Sequence, residues 1–136
     1  MEARILLLGN TDKVKEELNG SKVFVLSSNY EGMPNALMEA MSMGLACIST
    51  DCPCGGPKFL IKDNINGILT KVGDSNELAE KMLELILSDY KIETLSKEAM
   101  KIRSELDQNK IAAIWLEYIN KILESDLNLK NIRGNR

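Results

Sequence analysis

The chain has 136 residues, of which 44% are hydrophobic and 27% charged, with a formal net charge of −3. This length suits one domain with an ordinary core, and the composition is that expected of a soluble globular protein rather than a disordered one. The small negative charge, without a long basic stripe, argues against nucleic acid as the main partner. Histidine is absent, which excludes His-dependent nucleophile pairs and the commonest metal ligand.

The chain shows no pattern for membrane insertion or secretion. No apolar run approaches the roughly 18 residues that span a bilayer, and the N-terminus lacks the pattern of a signal peptide. We therefore expect a cytoplasmic protein, which could work beside a membrane.

Three cysteines, Cys47, Cys52 and Cys54, are too few and odd in number for a disulfide framework. The Cys-x-Cys pair could chelate a soft metal with help from Cys47, but structural zinc takes four ligands and no histidine can supply the fourth. Free, partly buried thiols and no metal site are the expectation.

In chain order, the first part of the sequence alternates between strand and helix patterns. "TDKVKEEL" predicts a short helix capped by Thr11 or Asp12, and "NALMEAMSMG" a helix that stops at Gly44. "DCPCGGP" predicts a tight loop, followed by one helical turn at "KFLI". Four apolar runs predict strands: "RILLLGN", "KVFVLSS", "LACIST" and "NGILTKV".

From "GDSNELAEKMLELILSD" onwards the pattern is helical. Asp74 or Ser75 is the expected N-cap of the first helix, with Glu77 placed to complete a capping box. "YKIETLSKEAMKIRSEL" and "KIAAIWLEYINKILES" predict two further helices. Residues 127–136 are expected to form a flexible polar tail.

Strands that alternate with helices predict an α/β fold, a Rossmann-like parallel sheet covered by helices on both sides. In such sheets ligands bind at the carboxyl ends of the strands. Two stretches follow strand ends of this kind, "NYEGMPNALMEA" and "DCPCGGP". They are the candidate binding segments.

The start of the helix after the second predicted strand suits an anion. Pro34 is favoured in the first helical turn, which would leave the N–H groups of Asn35, Ala36 and Leu37 without acceptors in the helix. These groups and the helix dipole favour a phosphate. Gly32 would let the backbone approach a ligand or adopt a positive φ.

Two glutamates flank this helix start, Glu31 in the preceding loop and Glu39 more than a turn inside. A carboxylate accepts two hydroxyl hydrogen bonds, which matches the diol of a sugar or ribose. A phosphate between two such carboxylates describes a nucleotide sugar. Glutamate is common, however, and the plain alternative is one solvated loop residue and one solvated helix residue, so the pattern alone favours an anionic ligand without naming it.

The stretch "VFVLSSNYEGMPNALMEAMSMGLACISTDCPCGGP", followed by "NINGILTKVGD", resembles the nucleotide-sugar-binding domain of retaining glycosyltransferases of family 4, which have the GT-B fold. The resemblance covers about residues 4–106, and its most specific part is the Glu-x7-Glu motif at residues 31–39. It implies that Glu31 lies beside the donor sugar and is the catalytic residue, by positioning rather than as a nucleophile. It implies that Glu39 binds the ribose hydroxyls and that the backbone near the helix start meets the sugar and pyrophosphate. The implied donor-binding residues are Gly32, Met33, Pro34, Asn35, Ala36, Leu37 and Glu39.

The resemblance further implies transfer of a sugar from a nucleoside diphosphate sugar to an acceptor hydroxyl, in polysaccharide or glycoconjugate biosynthesis. The family needs no bound metal, since a helix terminus and basic side chains stabilise the leaving diphosphate. Its implied partners are the nucleotide-sugar donor, an N-terminal acceptor domain and, in the full enzyme, a nearby membrane. Residues 1–126 would form a partial donor domain.

Several departures from the family pattern shape the expectations for this chain. Two strand-helix units, the acceptor domain and the basic residues that grip the diphosphate are missing, which indicates an excised or truncated piece, inactive alone and a weak donor binder. Open sheet edges invite self-association. Phe59 stands where the family often has an acidic residue. Trp115 and Tyr118 are expected in ordinary core packing rather than in a contact with the other domain.

Two alternatives from other classes are also compatible with the sequence. The chain could be a non-catalytic module that binds a nucleotide or a nucleotide sugar, or a scaffold that keeps the fold for protein interactions. The presence of both Glu31 and Glu39 favours the transferase and the binding module over the scaffold.

Overall fold

The computed structural model describes the backbone of residues 5–133 and the side chains of residues 5–124. The described chain forms two compact units, which divide between Lys101 and Ile102. The first unit holds α1 (Val14–Asn19), β1 (Val23–Leu26), α2 (Asn35–Met43), β2 (Ala46–Thr50), α3 (Gly56–Leu60), β3 (Ile68–Thr70), α4 (Ser75–Ile86) and α5 (Asp89–Ala99). The second holds α6 (Ile102–Glu105) and α7 (Gln108–Arg133).

The sheet of the first unit is parallel, with the strands in the order β1-β2-β3. Every residue of β2 is buried, as expected for a central strand covered on both faces. Ala46 and Ile48 share one face with Ile68 and pack there against Leu85 of α4 and Leu95 of α5. Burial of each large aliphatic side chain contributes about 1.5 to 3 kcal/mol, so this cluster anchors both helices to the sheet.

Helix α2 connects β1 to β2 and packs with a regular apolar stripe. Leu37, Ala40 and Met41 are buried at the i, i+3 and i+4 spacing of one helix face. The helix ends at Gly44, whose φ of 83° is left-handed and whose N–H bonds back to the carbonyls of Ala40 and Met41. The predicted strand, helix, stop and strand of this region are confirmed.

The prediction of a first strand in "RILLLGN" is wrong, because residues 5–10 form neither helix nor strand. Ile5, Leu6, Leu7 and Leu8 are all exposed. An apolar run becomes a strand only where a neighbouring strand pairs with its backbone. In the described sheet β1 pairs with β2 alone, so this run has no partner there.

Two predicted helix caps also differ from the structure. Helix α1 begins at Val14 with Lys13 as an N-cap that makes no side-chain bond, while the Thr11 hydroxyl accepts from the Lys13 N–H instead, at 3.0 Å. At α4 the Asp74 carboxylate accepts from the Glu77 N–H at 2.9 Å, as predicted. The reciprocal half of the capping box is replaced, because the Glu77 carboxylate accepts from the Lys71 N–H that the preceding turn brings within 2.8 Å.

The helical end of the chain is divided differently from the prediction. The helix expected over "YKIETLSKEAMKIRSEL" breaks into α5 and α6, and the Lys101 N–H bonds to the Glu98 carbonyl in a tighter turn at the break. Helix α7 continues past the predicted boundary at Asp126 to Arg133, because that stretch is polar but contains no glycine or proline. The flexibility of the tail stays a prediction, and residues 134–136 lie outside the described chain.

Side chains of α7 carry much exposed apolar surface. Trp115 and Tyr118 are 61% and 57% exposed, and their rings meet edge to face with centroids 6.3 Å apart. The expectation that these two rings belong to ordinary core packing is therefore wrong for the described structure. Ring pairs of this geometry contribute about 0.5 to 1.5 kcal/mol beyond area burial.

Candidate functional site

The loop between β1 and α2, residues 27–33, is called the motif loop here, and it holds Glu31 by a local hydrogen bond. The Ser28 hydroxyl donates to Oε1 of Glu31 at 2.6 Å, and both side chains are half-buried. The Thr50 hydroxyl at the end of β2 donates to the Ser28 carbonyl. Glu31 is therefore fixed at the carboxyl edge of the sheet, where the predicted fold placed it.

The start of α2 lies directly after this loop and leaves backbone donors open. The helix starts close to Pro34, as predicted, with Pro34 as the N-cap residue directly before the first turn. The first intrahelical bond runs from the Met38 N–H to the Pro34 carbonyl at 3.2 Å. The N–H groups of Asn35, Ala36 and Leu37 precede that bond, so no acceptor within the helix reaches them. No side chain caps this end. The open N–H groups and the positive end of the helix dipole therefore favour an anion at this position.

The remaining predicted site residues lie around this helix start. Gly32 and Met33 are exposed, as are Asn35 and Ala36, whereas Pro34 and the side chain of Leu37 are buried. Leu37 therefore offers only its backbone to a ligand. Gly32 does not have a positive φ, so of the two predicted roles only the close approach of a ligand remains.

Glu39 lies more than one turn inside α2 and is exposed. Among the described side chains none forms a hydrogen bond or ion pair with its carboxylate. Both of its oxygens are thus open to hydroxyl donors from solvent or from a ligand. The two glutamates therefore differ in their contacts. The Glu31 side chain is hydrogen-bonded within the motif loop, whereas the Glu39 side chain has no such partner among the described side chains.

The segment after β2, residues 51–56, runs through a loop into the first residue of α3. It packs against the motif loop, and the sequence did not predict this contact. We call it the glycine loop. The Cys54 thiol donates to the Tyr30 hydroxyl at 2.8 Å, and Gly56 lies directly against the carbonyl of Gly32. The adjacent glycines Gly55 and Gly56 were the sequence feature that could have indicated such a close approach.

Charged and titratable groups around the two loops are few. The Lys58 ammonium donates to Asp51 at 2.9 Å across the glycine loop. The hydrogen bond between Tyr30 and Cys54, and then the negative charge that Cys54 carries in its thiolate form, raise the pKa of the Tyr30 phenol above its usual value. Tyr30 therefore stays neutral at physiological pH and adds no charge beside Glu31.

A cavity of about 300 Å³ opens along the same edge of the sheet. It is lined by the strand ends at Ser27, Thr50 and Lys71 and by the start of α4 at Asp74 and Ser75. Its volume is at the lower end for small-molecule sites, and residues 31–39 do not line it. The open helix start and this cavity together occupy the carboxyl ends of all three strands.

The three cysteines are free and differ in exposure. Burial raises the pKa of the Cys47 thiol to about 12, so this side chain stays protonated. Cys52 is buried and Cys54 is exposed. In the part of the chain that the structure describes, no three side chains of the metal-ligating types lie close enough to hold an ion, and the absence of a metal requirement stays a prediction.

Comparison with known proteins establishes the family. Residues 1–88 match the family model described as "Glycosyl transferases group 1". The chain belongs to the group 1 glycosyl transferases. A curated relative is the Escherichia coli UDP-Gal:alpha-D-GlcNAc-diphosphoundecaprenol alpha-1,3-galactosyltransferase, which is 34% identical over 97 residues. That match takes in 71% of this chain and 24% of the relative, so the chain spans about a quarter of the length of that enzyme.

Solved structures of other proteins share the fold of the chain. Anabaena HepE in complex with UDP and glucose is 24% identical, with a TM-score of 0.79 over 88% of this chain and 33% of HepE. A mutant of S. aureus TarM in complex with fondaparinux, alpha-GlcNAc-glycerol and UDP is 29% identical, with a TM-score of 0.75 over 82% of this chain and 23% of TarM. The predicted α/β class is confirmed: a Rossmann-like parallel sheet flanked by helices, as in the C-terminal domain of GT-B glycosyltransferases, with a helical C-terminal end.

The described helices include none that could cross a membrane, because no helix between residues 5 and 133 is both long and apolar enough.

Proposed function

We propose that this group 1 glycosyl transferase chain is the donor-binding part of a retaining enzyme of family 4, and that residues 31–39 are its Glu-x7-Glu motif. The complete enzyme would transfer a sugar from a nucleoside diphosphate sugar to an acceptor hydroxyl, in polysaccharide or glycoconjugate biosynthesis. The observation that carries the proposal is the open N-terminus of α2, which lacks a side-chain cap and is flanked by Glu31 and Glu39.

The open backbone donors would bind the diphosphate. Three N–H groups in the first turn of α2 and the positive end of its dipole favour a doubly charged group. They would also stabilise the negative charge that develops on the diphosphate as the sugar leaves. This supports the proposal that no metal ion is needed for departure of the leaving group.

The two glutamates would hold the sugars on either side of that diphosphate. Oε1 of Glu31 already accepts from Ser28, which orients the carboxylate and leaves Oε2 for a hydroxyl of the donor sugar. Glu39 has both oxygens available for the ribose diol. Gly32 and Met33 supply exposed backbone between them. In this arrangement Glu31 positions the sugar, and no step makes it a nucleophile.

The proposed partners follow from the relatives and from the family. UDP occupies the HepE and TarM structures, which supports a uridine nucleotide as the first donor to test. The name of the E. coli relative describes an acceptor attached to diphosphoundecaprenol. This supports a reaction in the cytoplasm next to a membrane, with the acceptor held by a part of the enzyme that this chain does not contain.

The proposal is tested by titrating the ¹⁵N-labelled chain with UDP, GDP and ADP and following the backbone amide shifts. We expect saturable shifts centred on residues 31–39 for one nucleotide, at weak affinity. Glu39→Ala should weaken the binding of that nucleotide about tenfold or more, because a hydrogen bond to a charged group contributes about 1.5 to 3 kcal/mol.

The matched control is Glu80→Ala, which removes another exposed glutamate, from helix α4 on the same sheet. It should leave the nucleotide affinity unchanged. If both variants lose the same amount of nucleotide affinity, the change in net charge explains the loss, and the proposed role of Glu39 is contradicted. Absence of shifts in residues 31–39 at millimolar concentrations of all three nucleotides would contradict donor binding by this chain.

A further inference from the structure

Every second residue of the motif loop from Ser28 to Gly32 contacts the end of β2 or the glycine loop. Ser28 contacts Thr50 at the end of β2, Tyr30 contacts Cys54 and Gly32 contacts Gly56. Glu31 lies between the second and third of these contacts. The conformation of the segment that leads into α2 therefore depends on a loop more than 20 residues further along the chain.

Gly56 is in contact with the motif loop so closely that no side chain fits. A Cβ atom at this position would lie 1.5 Å from the carbonyl oxygen of Gly32 and 3.0 Å from Cδ of Pro34. The backbone of Gly56 does not need a positive φ. The glycine is thus required by the close approach of the two loops, at a point two residues before the N-cap of α2.

Cys54 keeps a side chain where the backbone favours glycine. Its φ is 71°, and the next residue, Gly55, has a φ of 73°. A left-handed conformation is unfavourable for residues other than glycine, and such outliers concentrate at functional sites. The side chain retained at this position is the one that donates to the Tyr30 hydroxyl, next to Glu31.

We propose that the glycine loop is the positioning element of the donor site, with Cys54, Tyr30 and Gly56 as positioning residues that hold Glu31 and the open start of α2 for a nucleoside diphosphate sugar. The proposal rests on the proposed function, since it assigns these residues to the same site. Cys54 acts through Tyr30 on one side of Glu31, and Gly56 acts through Gly32 and Pro34 on the other.

The test measures two quantities on the full 136-residue chain: the amide shifts of residues 31–37 without ligand, and the dissociation constant for UDP. Cys54→Ala and Tyr30→Phe each remove one partner of the hydrogen bond, and each should raise the dissociation constant about two- to tenfold. Cys54→Ser keeps a donor and should restore both the shifts and the affinity. All three should have nearly the same thermal midpoint, because both side chains are exposed.

The glycine contact is tested by Gly56→Ala, which should weaken UDP binding about tenfold or more by displacing the motif loop. Gly20→Ala is its control, because a Cβ there meets nothing within 4 Å, and it should change neither shifts nor affinity. If Gly56→Ala does not fold, the Cys54 and Tyr30 variants decide the proposal alone.

The outcomes separate this inference from the proposed function. If wild type binds UDP and Cys54→Ala, Tyr30→Phe and Cys54→Ser all bind equally well, the positioning role is wrong and donor binding stands. If wild type does not bind any nucleotide, donor binding by this chain is wrong, and the ligand-free shifts decide whether the glycine loop holds the motif loop. Shifts that change in Cys54→Ala and return in Cys54→Ser support it, and unchanged shifts overturn it.

Discussion

Helices α2 and α4 both begin just beyond a strand at the same edge of the sheet, yet their N-termini differ. At α4 the Asp74 carboxylate accepts from the Glu77 N–H, and the first turn carries an acidic residue. At α2 the N-cap is Pro34, no side chain caps the helix, and the first turn has no acidic residue. A side chain of the protein therefore satisfies one first-turn donor of α4, whereas no described side chain satisfies any at the start of α2.

The glycines that precede the two helices differ in the same way. Gly73, before α4, has a φ of 78° and serves the backbone conformation. Gly32, before α2, does not have a positive φ, and a Cβ there would meet nothing within 4 Å. Nothing in the described protein therefore requires glycine at position 32, which supports a ligand as the reason for it.

The contrast between the two helix starts is meaningful only if α2 and α4 pack equally firmly on the sheet. Testing this packing gives the largest expected change in the free energy of unfolding. Leu37 of α2 and Leu85 of α4 are both fully buried. Leu37→Ala and Leu85→Ala should each lower the free energy of unfolding by about 2 to 5 kcal/mol, through lost burial and the cavity left behind. Urea unfolding monitored by circular dichroism measures both. A cost below about 1 kcal/mol for Leu37→Ala alone would mean that α2 is loosely docked and that its open end reflects poor anchoring.

The glycine pair offers a sharper contrast between stability and binding. Gly73→Ala should cost about 1 to 2 kcal/mol of stability, because a Cβ in the left-handed region is strained. Gly32→Ala should leave the unfolding free energy nearly unchanged but weaken UDP binding about tenfold, because the added methyl group stands where the ligand approaches. Thermal unfolding and calorimetric UDP titration of both variants check this. If Gly32→Ala lowers the stability and leaves the UDP affinity unchanged, Gly32 serves the backbone conformation and not the approach of a ligand.

Uncapping α4 makes its start resemble that of α2. Asp74→Ala should lower the unfolding free energy by about 1 kcal/mol, since it removes an acceptor from the Glu77 N–H. Asp74→Asn is the matched variant, because the amide oxygen still caps the helix while the charge is lost. Chemical denaturation of the two variants should place Asp74→Asn close to wild type. An equal loss in both would assign the effect to charge and not to the cap.

Lowering the pH should destabilise α4 slightly more than α2, because α4 carries a carboxylate that is paired with lysines and the exposed carboxylate of α2 is not. Hydrogen bonds from Lys91 and then Lys81 lower the pKa of Glu84, whereas Glu39 has no such partner among the described side chains. A lowered pKa means that this stabilisation is present at neutral pH and is lost as the pH falls below the ordinary carboxylate range near 4.5.

Because these groups are largely solvated, we expect a loss of only about 0.5 kcal/mol from this site at acidic pH. Unfolding free energies at pH 7 and pH 3.5 should therefore differ less in Glu84→Gln than in wild type. Glu80→Gln, on the same helix, should keep the wild-type difference. If Glu84→Gln also keeps it, the ion pairs of α4 contribute nothing measurable.

Much of the fold was predictable because local rules and tertiary packing agree there. The β2 run, the apolar stripe of α2, the stop at Gly44 and the cap at Asp74 each follow from the periodicity or backbone needs of a few neighbouring residues. The strand predicted in residues 5–10 failed because strand formation depends on a partner that a short apolar run does not specify. The break after α5 was missed because the residues there include no glycine or proline.

In the candidate site, too, the features set by neighbouring residues were predictable and those set by distant residues were not. The helix start and the two glutamates could be located from sequence, because Pro34 and the preceding strand determine where α2 begins. The contacts of Tyr30 with Cys54 and of Gly32 with Gly56 could not, since each joins residues 24 positions apart through the pairing of two loops. The double glycine at 55 and 56 indicated a tight loop but not the loop that it would meet.

The unequal exposure of the three thiols makes the chain suited to site-selective chemistry. With Cys47 and Cys52 buried, a maleimide dye added to the native protein should attach at Cys54 alone, without removal of the other cysteines. A fluorophore there would sit beside Tyr30 at the mouth of the candidate site. Because the alkylated sulfur can no longer donate to Tyr30, its emission would follow the glycine loop without that contact. Protection of the unlabelled thiol by nucleotide would measure occupancy without any acceptor substrate.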